Sequence, residues 1–303
     1  MAKRDLIDIF DLQKMEIDAL IQEAERLKRR SAPGTALKGK TLAMIFEKAS
    51  TRTRVSFEVG MYQLGGMAMF LNSADMQLGR GETVGDTART ISRYADGIMI
   101  RAFSHDDIVQ FARYASVPVI NGLSDRSHPC QILSDLFTVY EKKGDYEKVT
   151  YAYVGDSNNV LNSWIEAAGV MGLHLKIATP APYAPSESVL KKASSTGRGN
   201  IELCSDPVQA VEGADVVYTD VWVSMGQEGA RNEKLRAFSG FQINQALMGH
   251  AKADAIVMHC LPAHRGEEIT SEVLDGKQSV VFDQAENRLH VQKAILQLLM
   301  RYQ

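Results

Sequence analysis

VTYAYVGDSNNVLNSWIEAAGVMGLHLKIA, Val149 to Ala178, decides the fold. Val149 to Val154 is a short apolar run rich in β-branched and aromatic residues, which predicts a buried strand. Gly155 to Asn159, GDSNN, is turn chemistry. The next segment predicts a helix to about Met171, and Leu173 to Ala178 predicts another strand. Strand, helix and strand within about 30 residues form the repeating unit of a parallel sheet.

The pattern continues in both directions. Downstream, Pro207 to Glu212 predicts a short helix. Val216 to Thr219, Ala255 to His259 and Ser279 to Phe282 predict strands, and Ala285 to Leu299 a closing helix. Upstream, Ile17, Leu20, Ile21, Ala24 and Leu27 recur at helical spacing, in a helix ending near Ser31. Thr41 to Phe46 predicts a buried strand, followed by a helix from about Thr53 to Leu64 that stops at Gly65 and Gly66. Thr83 to Tyr94 predicts a helix, Gly97 to Arg101 and Val117 to Ile120 strands, and Ile132 to Lys143 a helix ending at Gly144. The expected class is α/β, with two domains that are each a parallel sheet flanked by helices. The break near Gly144 separates them.

Bulk composition narrows the function. At 303 residues with 45% hydrophobic and 23% charged residues, the chain is an ordinary globular protein of one or two domains. A net charge of -3 gives no whole-protein attraction to nucleic acid or an anionic membrane. Cys130, Cys204 and Cys260 are odd in number and far apart, which speaks against a disulfide scaffold and fits a reducing cytoplasm. No stretch stays apolar for the roughly 18 residues of a membrane span.

Candidate chemistry falls where strands end. Ser50, Thr51, Arg52 and Thr53 crowd hydroxyls and a guanidinium where a helix begins. A helix N-terminus presents unpaired N–H groups and partial positive charge, so this cluster suits a phosphate. The nucleotide loop GxxxxGK is absent. Arg54, two positions from Arg52, points elsewhere on a helix and is assigned a structural role. His128 in SHPCQIL, with Gln131 three positions on, follows a strand and can donate to a carbonyl oxygen that gathers charge. A packed or capping histidine is the alternative. Arg101 ends a predicted buried strand and stands either at a site mouth or in solvent.

Asn159 in GDSNN can hold a carboxylate or an amino group, or serve the turn alone. In DVWVSMGQE, Asp220 suits a cation, while Ser224 and the Met225 backbone suit a carboxylate. Cys260 in HCLP is a nucleophile or a packed thiol. His259 and His264 do not form the zinc spacing HExxH, so no metal is expected. The dinucleotide pattern GxGxxG is missing, which removes support for a nicotinamide cofactor.

STRTR, HPCQ, GDSNN, DVWVSMG and HCLP, in that order, resemble the aspartate/ornithine transcarbamylase family, and its ornithine branch in particular. The likeness runs from the first helix to AENR near the C-terminus. It implies transfer of the carbamoyl group of carbamoyl phosphate to the δ-amino group of L-ornithine, with no cofactor. It also implies a carbamoyl-phosphate-binding domain, 1–143 with the closing helix 286–303, and an ornithine-binding domain, 144–285. Ser50, Thr51, Arg52, Thr53 and Arg101 would hold the phosphate, and His128 and Gln131 the carbamoyl group. Cys260, Leu261 and Arg288 would line the reacting centre. Asn159, Asp220, Ser224 and Met225 would bind ornithine, and Asp220 and Cys260 would join Arg101 and His128 as catalytic residues. Gln77 matches a segment that reaches a neighbouring subunit's site in a homotrimer.

Other readings leave different traces. An aspartate acceptor calls for extra arginines and for HPLP in place of HCLP. Putrescine would leave the carboxylate contacts at Ser224 and Met225 unused. A non-catalytic sensor of a phosphorylated metabolite would not need Arg52, His128 and Cys260 together.

Overall fold

The computed structural model describes residues 3–29, 34–223, 229 and 231–301. The chain forms two compact units, Met1–Phe137 with Glu286–Gln303, and Thr138–Ala285.

In the first unit α1 (Lys14–Lys28) buries Ile17, Leu20, Ile21, Ala24 and Leu27, the residues whose spacing predicts it. Then come β1 (Thr41–Phe46), α2 (Thr51–Gln63), β2 (Met67–Asn72), α3 (Val84–Ile91), β3 (Gly97–Arg101), α4 (His105–Tyr114), β4 (Val119–Leu123) and α5 (Pro129–Lys143). The four strands are parallel, in the order β2-β1-β3-β4. β1 and β3 are continuous apolar runs because both faces of the sheet are covered. One covering layer packs Ala88, Ile91, Ile108 and Phe111 of α3 and α4 against Ala43, Ile45, Ile98 and Ile100 of the sheet.

The second unit continues with β5 (Thr150–Val154), α6 (Asn159–Met171), β6 (His174–Ala178), α7 (Glu187–Ser194), β7 (Asn200–Cys204), α8 (Pro207–Val211) and β8 (Val216–Thr219). α9 (Arg231–Ala237), α10 (Gln245–Met248), β9 (Ile256–His259), α11 (Ser271–Leu274) and α12 (Val281–Met300) complete the chain. The five strands are again parallel, in the order β7-β6-β5-β8-β9. Tyr153 and Tyr218, on adjacent strands, stack with ring centroids 5.8 Å apart, and Trp164 of α6 meets Tyr218 edge-on at 5.5 Å. This aromatic layer fixes the carboxyl ends of β5 and β8.

Both sheets reverse their strand order beside the central strand, between β1 and β3 and between β5 and β8. In such sheets ligands sit beyond the strands' carboxyl ends at that reversal.

Several element ends shift by a few residues from the sequence reading, and one element differs in kind. By contact the first unit ends at Phe137, inside α5, and that helix runs on to Lys143, beside Gly144. Ser279 to Phe282 is not a strand. Ser279 makes one isolated bridge to Val257, and α12 starts at Val281. A short apolar β-branched run reads alike as a strand and as the start of a buried helix.

Candidate functional site

In the first unit, Ser50 is the N-cap of α2, and its Oγ accepts from the Thr53 N–H at 3.2 Å. The helix therefore begins two residues earlier than its apolar pattern suggests. The Ser50 hydroxyl keeps its own proton for donation. Thr51 is exposed, Arg52 half-buried and Thr53 fully buried. Arg54 leaves in another direction, donating to Glu58 at 3.0 Å with its guanidinium 3.8 Å above the Phe70 ring.

The carboxyl end of β3 delivers Arg101, and the loop after β4 delivers His128 just before α5; both are buried. Arg288 of α12 is buried too, and its Nη2 donates to the Thr53 hydroxyl at 2.9 Å. Burial pushes the His128 pKa well below its ordinary value, and Arg288, Arg101 and Arg52 push it further. His128 is thus a neutral imidazole among three guanidinium groups. It carries one N–H that can donate and one nitrogen that can accept. Lys48, whose ammonium lies 4.3 Å over the Phe103 ring, is pushed down by burial and then by Arg101. Gln131 spends its amide nitrogen on Asp135 at 2.8 Å, while its buried Oε1 has no hydrogen-bond partner. The site thus offers concentrated positive charge, a neutral imidazole and one unmet acceptor. An anion bearing an N–H donor matches all three. Cys130, beside His128, is buried with its pKa pushed up to about 12, so it is an inert packed thiol. Gln77 is exposed at the start of a 3₁₀ turn, Gln77–Arg80.

The second unit carries a different site at the ends of β5, β8 and β9. Gly155, at φ 150, turns the chain out of β5 with the Thr219 Oγ1 only 3.2 Å from where a Cβ would stand. Asn158, rather than Asn159, caps α6 through its Oδ1, and its Nδ2 donates to Asp220 Oδ2 at 2.7 Å. Asn159 is half-buried at the first position of the helix. The other oxygen of Asp220 accepts from the Cys260 thiol at 2.9 Å. Asp220 is therefore a buried carboxylate held at both oxygens, by residues from two neighbouring strand ends.

His259 orients the next turn. Its Nδ1 accepts from the Leu261 N–H at 2.8 Å, and its Nε2 donates to Glu268 at 3.1 Å. Leu261 stands at φ 57, a conformation leucine rarely adopts, and the bond to His259 helps hold it there. Ligand atoms of Asp220, His259 and Cys260 lie within 4.8 Å of one another, spacing that suits a metal ion. Both ring nitrogens of His259 are already engaged, so ligation would break one of those bonds. Ser224 and Met225 lie outside the described residues.

Of the residues expected from the sequence, the first unit gathers Arg52, Arg101, His128 and Arg288 and joins Thr53 to Arg288. The second joins Asp220 to Cys260. Sequence reasoning missed Lys48, Asn158, Asp156, Lys234 and Glu268. Only the GDSNN turn, which contains both Asp156 and Asn158, carried a local signal for any of them.

Fold and sites define the class: a protein of two parallel α/β units, one with a cationic site and one with an acidic site at its strand ends. Residues 4–141 match the family model of the aspartate/ornithine carbamoyltransferase carbamoyl-P binding domain. Residues 147–299 match that of the Asp/Orn binding domain. An ornithine carbamoyltransferase of Syntrophus aciditrophicus is 58% identical over 98% of this chain and 100% of its own. The structure of ornithine carbamoyltransferase from Pyrococcus furiosus superposes with a TM-score of 0.93 at 53% identity, covering 99% of this chain and 97% of that one. The Thermus thermophilus enzyme gives 0.91 at 44% identity, over 99% and 100%. The chain belongs to the aspartate/ornithine carbamoyltransferase family.

Proposed function

We propose that the protein is an ornithine carbamoyltransferase, forming L-citrulline and phosphate from carbamoyl phosphate and L-ornithine. The observation that carries the donor half is neutral His128 buried among Arg52, Arg101 and Arg288. The phosphate goes to Ser50, Thr51, Arg52, Thr53 and Arg101, at the N-terminus of α2. The unmet Oε1 of Gln131 accepts from the carbamoyl amide. The His128 N–H, with Arg101 and Thr53, donates to the carbamoyl oxygen as it gains charge. Arg288 fixes Thr53 and adds positive charge.

Asp220 holds the side-chain amino end of ornithine, and Asn159, Ser224 and Met225 are assigned to its other polar groups. Cys260 and Leu261 are assigned to the carbamoyl group by the family motif alone. In the reaction the neutral δ-amine attacks the carbamoyl carbon and forms a C–N bond. The C–O bond to phosphate breaks, and the amine's proton leaves with the phosphate. Orientation and charge stabilisation supply the acceleration. Gln77 is assigned to a neighbouring subunit's site in a homotrimer. A cytoplasmic location and a role in arginine metabolism complete the reading. Among the described residues no helix is long and apolar enough to cross a membrane.

The test is citrulline formation by the purified protein. Carbamoyl phosphate is supplied with ornithine, putrescine, aspartate or N-acetylornithine in separate reactions. Citrulline from ornithine is the expected result. Carbamoylation of only another acceptor would overturn the ornithine assignment, and no product from any would overturn the transfer itself.

A further inference from the structure

Beside Asp220 the second unit buries another carboxylate. Asp156, the second residue of GDSNN, is 4% exposed, and Lys234 of α9 donates to it at 2.6 Å. Lys234 is itself only 6% exposed. A buried ion pair is weak evidence of stability, because desolvation offsets much of its attraction. It calls for another explanation.

The surroundings supply one. Burial pushes the Asp156 pKa up, Lys234 pulls it back down, and the charge of Asp220 pushes it up again. The two carboxylates therefore feel each other. The Tyr153 hydroxyl of β5 donates to the Asp156 carbonyl at 3.0 Å, and the same turn carries Asn158, which holds Asp220. Other titratable groups around this turn include Tyr153, Tyr183, Cys260 and Glu268, with Glu233 of α9 accepting from the Tyr183 hydroxyl at 3.4 Å. Tyr153 is held neutral, since burial and then Asp220 and Asp156 push its pKa well up. α9 is also fixed by aromatic contact: Phe238, just past its end, stacks on Trp222 at 5.4 Å and meets Tyr183 at 5.1 Å. Lys234 is thus presented to Asp156 from a firmly packed element.

We propose that Lys234 is a positioning residue that serves as the built-in counter-ion of Asp156, so that only Asp220 remains to receive the ammonium end of the acceptor. Asp156, Lys234 and Asp220 together carry a single negative charge, which matches one side-chain ammonium. Without Lys234, an ionised Asp156 becomes a second acceptor for that ammonium and draws it from the reactive position. Protonation of Asp156 removes the competitor and restores the original charge. This inference rests on the ornithine reading.

The experiment measures citrulline kcat/KM for ornithine at pH 6.5 and pH 8.5 in wild type, Lys234→Met, Lys234→Arg and the double variant Lys234→Met/Asp156→Asn. Ratios to wild type cancel the titration of ornithine itself. Lys234→Met is expected to lose at least tenfold at pH 8.5 and to recover most of that at pH 6.5. Lys234→Arg keeps the pair and shows no such pH dependence. The double variant, with neither charge, also loses the pH dependence and exceeds the single variant at pH 8.5. Failure of Lys234→Met to fold while the double variant folds supports the same charge pairing. A ratio that is equal at both pH values, with the double variant no better than the single, overturns the proposal, as does failure of both to fold. If wild type makes no citrulline, the transfer reading fails instead. The pairing is then decided by 13C carboxyl titration of Asp156, which must move upward in Lys234→Met, and an unmoved titration overturns it.

Discussion

Arg288 Nη2 donates to the hydroxyl of Thr53 at 2.9 Å, although 235 residues separate the two in the chain. The closing helix therefore reaches the residues proposed above to hold the anion. Replacing Arg288 by Met removes a charged hydrogen bond, an interaction worth roughly 1.5–3 kcal/mol. Carbamoyl phosphate affinity should fall by one to two orders of magnitude. The same variant removes the foremost of the three cations acting on His128, so the His128 pKa should rise. Calorimetry and a histidine NMR titration read the two effects, and unchanged values in both would separate Arg288 from the site.

Arg52 stands on the first turn of α2, where the helix N-terminus already favours an anion. Arg52→Ala should abolish measurable phosphate binding and cut kcat/KM by about a thousandfold, in line with loss of a preorganised charge-stabilising donor. The fold should survive, since Arg52 is half-buried and Ser50 keeps the cap. Wild-type activity in this variant would show that the phosphate binds elsewhere.

His128 makes stability depend on pH. Its folded pKa is depressed, so below the unfolded value of about 6.5 the unfolded chain binds a proton that the folded chain refuses. Its contribution is complete above that pH and is lost as pH falls toward the depressed value, at up to about 1.4 kcal/mol per pH unit. Urea unfolding between pH 7 and pH 5 should show a shallower loss of stability in His128→Gln than in wild type. Identical slopes would mean that the imidazole takes up its proton in the fold as readily as in the unfolded chain.

These properties were unequally legible in the sequence. Continuous apolar runs such as TLAMIF and GIMIR announced buried parallel strands, because two covered faces leave no polar alternation. β2 and β7 went unread: both are edge strands with exposed positions, and β7 also mixes polar and apolar residues. STRTR, HPCQ and HCLP were visible because their residue types cluster locally. Nothing in the sequence around Lys234 sets it apart from other charges, and Asp156 reads as a turn residue. Their pairing spans 78 positions and appears only when β5 and α9 fold together. Asn158 and Asn159 could not be ranked from sequence, because the choice depends on which of them caps α6.

Asp220 should separate acceptor from donor. Its two oxygens are held by Asn158 and Cys260, so Asp220→Asn preserves shape while removing the charge. The ammonium end of ornithine then loses its counter-charge in a buried site, where a charge pair is worth several times its value in water. Ornithine KM should rise and kcat fall, for a combined loss of about a thousandfold or more. Carbamoyl phosphate affinity, set by the arginines of the first unit, should stay within about twofold, since sites without shared partners behave independently. L-norvaline, which lacks the side-chain amine, should bind wild type and variant about equally. Equal weakening of carbamoyl phosphate and ornithine would refute the assignment of donor and acceptor to separate units. A selective loss of ornithine, with norvaline unaffected, would place the acceptor's ammonium at Asp220.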